Sequence, residues 1–178
     1  LKDAALFADT AIVSICRFSS EGSDRKGEPG DGDFYLDEAE SKLIKEVTAA
    51  FPHTVLVLNV GGMVDTSYFR ENDRIESVLL AWQAGLEGGY AEWDILSGAV
   101  TPSGRLVDTF AATFADYPSS ANFNDSEEYA EYTDDIYVGY RYFETIPGAA
   151  AHVNYPFGYG LSYTTFSVEK ADAKEDNG

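Results

Sequence analysis

The 178-residue chain has a single cysteine, Cys16, and this already excludes an intramolecular disulfide and any cysteine-built zinc site. Basic residues are scarce, with 12 Lys and Arg against 31 Asp and Glu, for a formal charge of −19. Such a surface repels a nucleic-acid backbone or an anionic lipid, so neither is expected as a partner. No apolar run approaches the ~20 residues a membrane-spanning helix needs, and no membrane partner is expected. The N-terminus, Leu1-Lys2-Asp3, carries no Met and no basic-then-apolar leader, and it reads as a cut inside a longer protein.

What is present suits a folded domain. Hydrophobic residues make up 44% of the chain and aromatics 14%, too many for a disordered segment. The length is one domain or part of one, enough to bury roughly 70% of the unfolded surface.

Ala4 to Ala8 reads as the end of a helix, followed by a strand from Ala11 to Cys16 in which Cys16 is read as a buried structural thiol. A polar, Gly-rich loop runs from Arg17 to Asp33. Loops longer than about 12–15 residues in a compact domain are often functional. Asp37 stands at a helix N-cap with Glu40 three residues on, a capping-box arrangement. Ala39, Leu43, Val47 and Phe51, with Ile44 beside them, mark one apolar helix face, and Pro52 closes it.

Thr54 to Val60 is continuously apolar and ends in Gly61-Gly62, as expected of a strand buried on both faces. Ile75 to Trp82 repeats the pattern before Gln83-Ala84-Gly85, and a helix from about Leu86 to Ser97 stops at Gly98. This alternation predicts an α/β fold, a mostly parallel sheet flanked by helices. Ligands in such sheets bind beyond the carboxyl ends of the strands, where the Glu21 loop, the Gly61-Gly62 turn and the Gln83 turn fall. Farther on, 116–135 reads as an acidic surface excursion and Ile136 to Phe143 as a short aromatic strand. Tyr155 to Tyr163 reads as a packed loop, and Glu169 to Gly178 as a charged linker or tail.

Several patterns fail as sites. Gly158-x-Gly160 lacks the strand and helix of a dinucleotide fingerprint. Asp31, Asp33, Tyr35 and Asp37 start like a calcium loop, but Leu36 stands where Gly is required and Lys42 where Glu is required. His53 and His152 sit in no metal-ligand spacing, and there is no G-x-S-x-G elbow. Trp82, Trp93 and the tyrosines could stack on sugars, but the helical spacing of Trp93 from Leu86, Tyr90 and Leu96 favours core packing. Glu21, between a strand end and Asp24-Arg25, could serve as a proton donor if its surroundings tune it. By itself it reads more readily as part of a surface loop with a local ion pair.

Taken together, the motifs narrow the choice. They are Ser19-Ser20-Glu21-Gly22-Ser23-Asp24-Arg25, Gly32 to Leu36, Val57 to Gly61, Leu80 to Gly89, Thr101 to Leu106, Ile136 to Phe143 and Tyr155 to Tyr163. In this order, over about 4–168, the chain resembles the α/β-sandwich domain of family 3 glycoside hydrolases, a group that includes many β-glucosidases. The resemblance implies residues 1–168 as a sandwich domain lacking its first strands, with 169–178 as a tail. It implies Glu21 as general acid/base of a retaining β-glycosidase, supported by Asp24 and Arg25. The nucleophile, an Asp on a (β/α)8 barrel of the same protein, would act with it on a β-linked glucoside or oligosaccharide, without cofactor or metal. The competing reading is a non-catalytic carbohydrate- or partner-binding α/β module.

Overall fold

The computed structural model describes residues 1–18, 22, 24–123 and 125–171. Helix α1 (Lys2–Phe7) leads into strand β1 (Thr10–Cys16), and helix α2 (Glu38–Ala50) into strand β2 (His53–Asn59). The short helix α3 (Ser67–Arg70), strand β3 (Ile75–Leu80) and helix α4 (Gly88–Leu96) follow. The three strands form a parallel sheet in the order β1-β2-β3, with Val13 opposite Leu56 and Leu56 opposite Val78. The α/β alternation read from hydrophobic period is therefore the observed architecture.

Strand β2 is central, and its burial on both faces, at Thr54, Leu56, Val57 and Leu58, is why it reads as an uninterrupted apolar run. Helix α2 starts at the Asp37 N-cap, where Asp37 accepts the Glu40 N–H at 2.7 Å and Glu40 accepts the Asp37 N–H at 3.0 Å. That box satisfies backbone donors the helix cannot reach itself. Ile44, Val47 and Phe51 then pack with Val13, Ile15, Leu56 and Leu58 in the main core. Full burial of side chains such as Leu56 and Leu58 contributes about 1.5–3 kcal/mol each. Ala39 and Leu43, read as part of the buried stripe, are exposed. A spacing of four drifts around a helix of 3.6 residues per turn, so its buried face is Ile44-Val47-Thr48.

Three further expectations are corrected. Cys16 is exposed, not buried. On β1, at the edge of the sheet, Val13 and Ile15 point into the core, and Cys16 has the opposite parity with Ile12 and Ser14. Trp93 is also exposed, along with Leu86 and Tyr90, and no residue of α4 is buried. Its periodicity identified a helix but not a packed face.

The segment read as an aromatic strand is a 3₁₀ turn at Asp135–Tyr137 followed by helix α5 (Tyr140–Thr145). Gly139, at φ +64°, takes a backbone turn other residues rarely adopt and separates the two. The helix places Phe143 in a second core with Ala111 and Ala149, with Tyr142 and Ile146 against it, contacts a strand of period two could not gather. This core underlies a small antiparallel pair, β4 (Phe110–Ala111) with β5 (Val153–Tyr155). Tyr117 joins the two parts. Its ring packs on Phe34 and Phe143, and its hydroxyl accepts the Ala111 N–H and donates to the Thr109 carbonyl. Burial, offset in part by the Ala111 hydrogen bond, pushes the Tyr117 phenol up to about 12.

Candidate functional site

The carboxyl ends of β1 and β2 lie side by side, with the Arg17 N–H on the Asn59 carbonyl at 2.9 Å. The polar loop begins at Arg17, the first residue past β1. Arg17 is only 6% exposed, which requires partners for its guanidinium. It ion-pairs with Glu40, Nη2 lying 2.8 Å from Oε2, and Nη1 donates to the Cys16 carbonyl at 2.8 Å. Its Nε reaches the Asp33 carbonyl at 2.6 Å. Removing one partner of a buried ion pair typically costs about 3–5 kcal/mol, so Glu40 and Arg17 need each other.

Arg25 repeats the arrangement on the far side of the loop. Its Nε binds Asp33 Oδ1 at 2.6 Å, its Nη2 the Asp33 carbonyl at 3.2 Å, and its Nη1 the Met63 carbonyl at 2.6 Å. The second Asp33 oxygen accepts the Lys26 N–H at 2.8 Å. Backbone bonds from Phe34 to Lys26 and from Asp65 to Phe34 continue the lacing into the turn after β2. Gly62 belongs to that turn, and a Cβ there would lie 2.8 Å from Arg25 Nη1. A side chain at 62 would therefore press on the guanidinium unless Arg25 shifted.

Glu21, the candidate proton donor, lies outside the described residues, as do Ser19, Ser20 and Ser23. Both flanks of its loop are described and held. Asp24 is exposed, and among the described residues the bracing bonds come from Arg25. Two residues read otherwise in the sequence matter here. Asp33 is the receptor of both arginines, and Arg17 is the anchor at the loop's start. The detectable signal was an arginine abutting a buried strand, since such a charge needs a partner.

Trp82, just past β3, is half-buried against Phe110 and takes φ +55°, an uncommon backbone for a bulky residue. The two histidines pair with carboxylates, His53 with Glu76 and His152 with Asp116, both at 2.8 Å. Among the described residues no three His, Cys, Asp or Glu side chains gather as metal ligands. Asp33 and Asp37, read as a failed calcium pattern, are used by Arg25 and by the helix cap.

The family described as the glycosyl hydrolase family 3 C-terminal domain matches residues 1–163. The chain belongs to that family. Among its relatives, β-glucosidase A of Butyrivibrio fibrisolvens is 54% identical over 98% of this chain and 23% of its own length. A solved β-glucosidase from Paenibacillus barengoltzii superposes with a TM-score of 0.85 at 44% identity, over 93% of this chain and 18% of its own. β-Glucosidase 3B of Thermotoga neapolitana, solved with glucose, gives 0.82 at 41% identity over 92% of this chain and 23% of its own. This family 3 C-terminal domain thus spans less than a quarter of the length of the β-glucosidases it matches.

Proposed function

We propose that this chain is the acid/base-bearing domain of a retaining β-glycosidase acting on terminal β-linked sugars, β-glucosides foremost. The observation that supports the reading is the lacing of Arg17 and Arg25 to Asp33 and Met63 past the carboxyl ends of β1 and β2, in a chain whose relatives are named β-glucosidases. In a parallel α/β sheet this is where ligands bind.

In the proposed reaction Glu21, protonated, donates to the glycosidic oxygen as the bond to the anomeric carbon breaks. A carboxylate elsewhere in the same polypeptide, an Asp on a (β/α)8 barrel, attacks that carbon and forms a glycosyl ester. Glu21, now ionised, takes a proton from water as the water attacks the ester. Each displacement inverts the anomeric carbon, and two restore it. The pair works at a carboxyl separation of ~5–5.5 Å, so Glu21 must lie at a contact between this domain, taken as 1–168 with 169–178 as tail, and the barrel.

The surface agrees with a chain that packs against further polypeptide. Leu6, Phe7, Leu86 and Trp93 are among the uncovered side chains.

Proton NMR of the first product tests the reaction class. The full-length polypeptide should release β-glucose first from an aryl β-glucoside, with the α anomer growing in later by mutarotation. α-Glucose as the first product would overturn the retaining mechanism.

A further inference from the structure

The three parallel strands bring their carboxyl ends to one edge of the sheet, where Arg17 follows β1, Gly61 and Gly62 lie in the turn after β2, and Trp82 follows β3. Val78, Leu80 and Trp82 pack against the main core, and the Ala81 N–H still reaches the Leu58 carbonyl at 3.0 Å. At Trp82 the backbone leaves the strand with φ +55°. Glycine takes that conformation freely, whereas in a bulky residue it is an outlier. Such strain persists only where the surroundings enforce it, and it gathers at active sites and ligand clamps. The ring rests on Phe110, with centroids 6.3 Å apart and planes at 43°, and Phe110 is 2% exposed. Trp82 itself stays half-buried, and Gln83, Ala84, Gly85, Leu86 and Glu87 after it are exposed. An indole is thus fixed from behind and left partly open at the edge where ligands of a parallel sheet bind.

We propose that Trp82 is a stacking platform for the leaving-group sugar of a β-linked glucoside. The inference rests on the proposed two-domain β-glycosidase reaction and uses described residues alone. In that reaction the nucleophile attacks the anomeric carbon from the face opposite the leaving group. A nucleophile on the barrel therefore turns the leaving group toward this domain. A glucose leaving group carries its ring substituents mostly equatorial, so axial C–H groups give it flat apolar faces. The electron-rich face of an indole suits such C–H groups. Strands about 4.8 Å apart place the end of β3 about 10 Å from the end of β1 along the edge. Gly61 and Gly62, between them, put no side chain in the way. A ring that only filled the core would gain nothing from an open face, and leucine on Phe110 would serve as well.

Two substrates that differ only in the leaving group separate stacking from packing. Cellobiose releases a glucose ring, and methyl β-glucoside releases methanol, which has no ring to stack. In the full-length polypeptide, kcat/KM for both should be measured for the wild type, Trp82→Ala, Trp82→Leu and Trp82→Tyr. Trp82→Ala should lose roughly five- to tenfold more on cellobiose than on methyl β-glucoside, the worth of one aromatic contact. Trp82→Leu keeps apolar bulk on Phe110 and gives up the flat face. It should show the same excess loss on cellobiose, and it serves if the alanine variant fails to fold. Trp82→Tyr, which restores a flat face, should recover most of the excess. Equal losses on the two substrates, or a leucine variant that matches the wild type, would assign the ring to packing and overturn the platform alone. A wild-type polypeptide that cleaves neither substrate would instead overturn the β-glycosidase reading, and this inference with it.

Discussion

Replacing Glu21 by alanine in the full-length polypeptide should lower kcat/KM for phenyl β-glucoside by about 10²–10⁴-fold, the contribution expected of a positioned general acid. The loss shrinks with dinitrophenyl β-glucoside, because that leaving group departs without a proton. With the activated substrate the glycosyl ester then accumulates, since the variant has also lost the base that activates water. A burst of dinitrophenolate followed by slow turnover is the kinetic signature. Added azide, a nucleophile that needs no base, should raise the slow phase several-fold. Equal losses on both substrates, with no burst and no response to azide, would mean that Glu21 does not carry the proton. The residue lies outside the described residues, so the prediction stands on the motif and on the hydrogen bonds of Arg17 and Arg25, which precede and follow it in the chain.

The second large effect concerns the chain by itself. Purified, it should hydrolyse no aryl β-glucoside above the background rate, while the full-length polypeptide turns over. General acid catalysis supplies only part of the acceleration, and the remainder depends on a nucleophile ~5–5.5 Å from the acid/base. We assign that nucleophile to another part of the polypeptide. Turnover by the purified chain that disappears in its Glu21→Ala variant would refute the two-domain account, because both carboxylates would then lie within these residues. A full-length protein with no barrel and no catalysis would instead favour the non-catalytic carbohydrate- or partner-binding module.

How far the sequence could be read depended on how local each feature is. The capping box at Asp37 and Glu40 is a contact between near neighbours, and the structure contains it as the pattern predicts. The uninterrupted run of β2 reports burial on both faces of a central strand, which is also a local statement. Cys16 and Trp93 failed for the opposite reason. Exposure depends on what covers an edge strand or a helix face, and hydrophobic character alone does not say whether anything does.

The aromatic stretch before Phe143 misled because apolar residues occupy both parities, so no true period of two existed. The preference for helix came from a second core assembled with Ala111 and Ala149. At the site, Arg25 was singled out together with Asp24, as support for Glu21 that the family resemblance implies. Its receptor Asp33, eight residues on, looked only like a broken calcium loop. The Arg17–Glu40 pair spans 23 residues and joins a strand end to a helix start, a proximity that only the folded sheet creates.

The glycosyl azide formed by the Glu21→Ala variant tests the central claim most directly. If Glu21 is the acid/base and the nucleophile lies elsewhere, azide attacks the glycosyl ester from the face that water would have used. The proton NMR spectrum of the product must then show β-glucosyl azide, with the configuration of the substrate. α-Glucosyl azide would contradict this account, since azide would have displaced the aglycone directly from the opposite face and Glu21 would be the missing nucleophile.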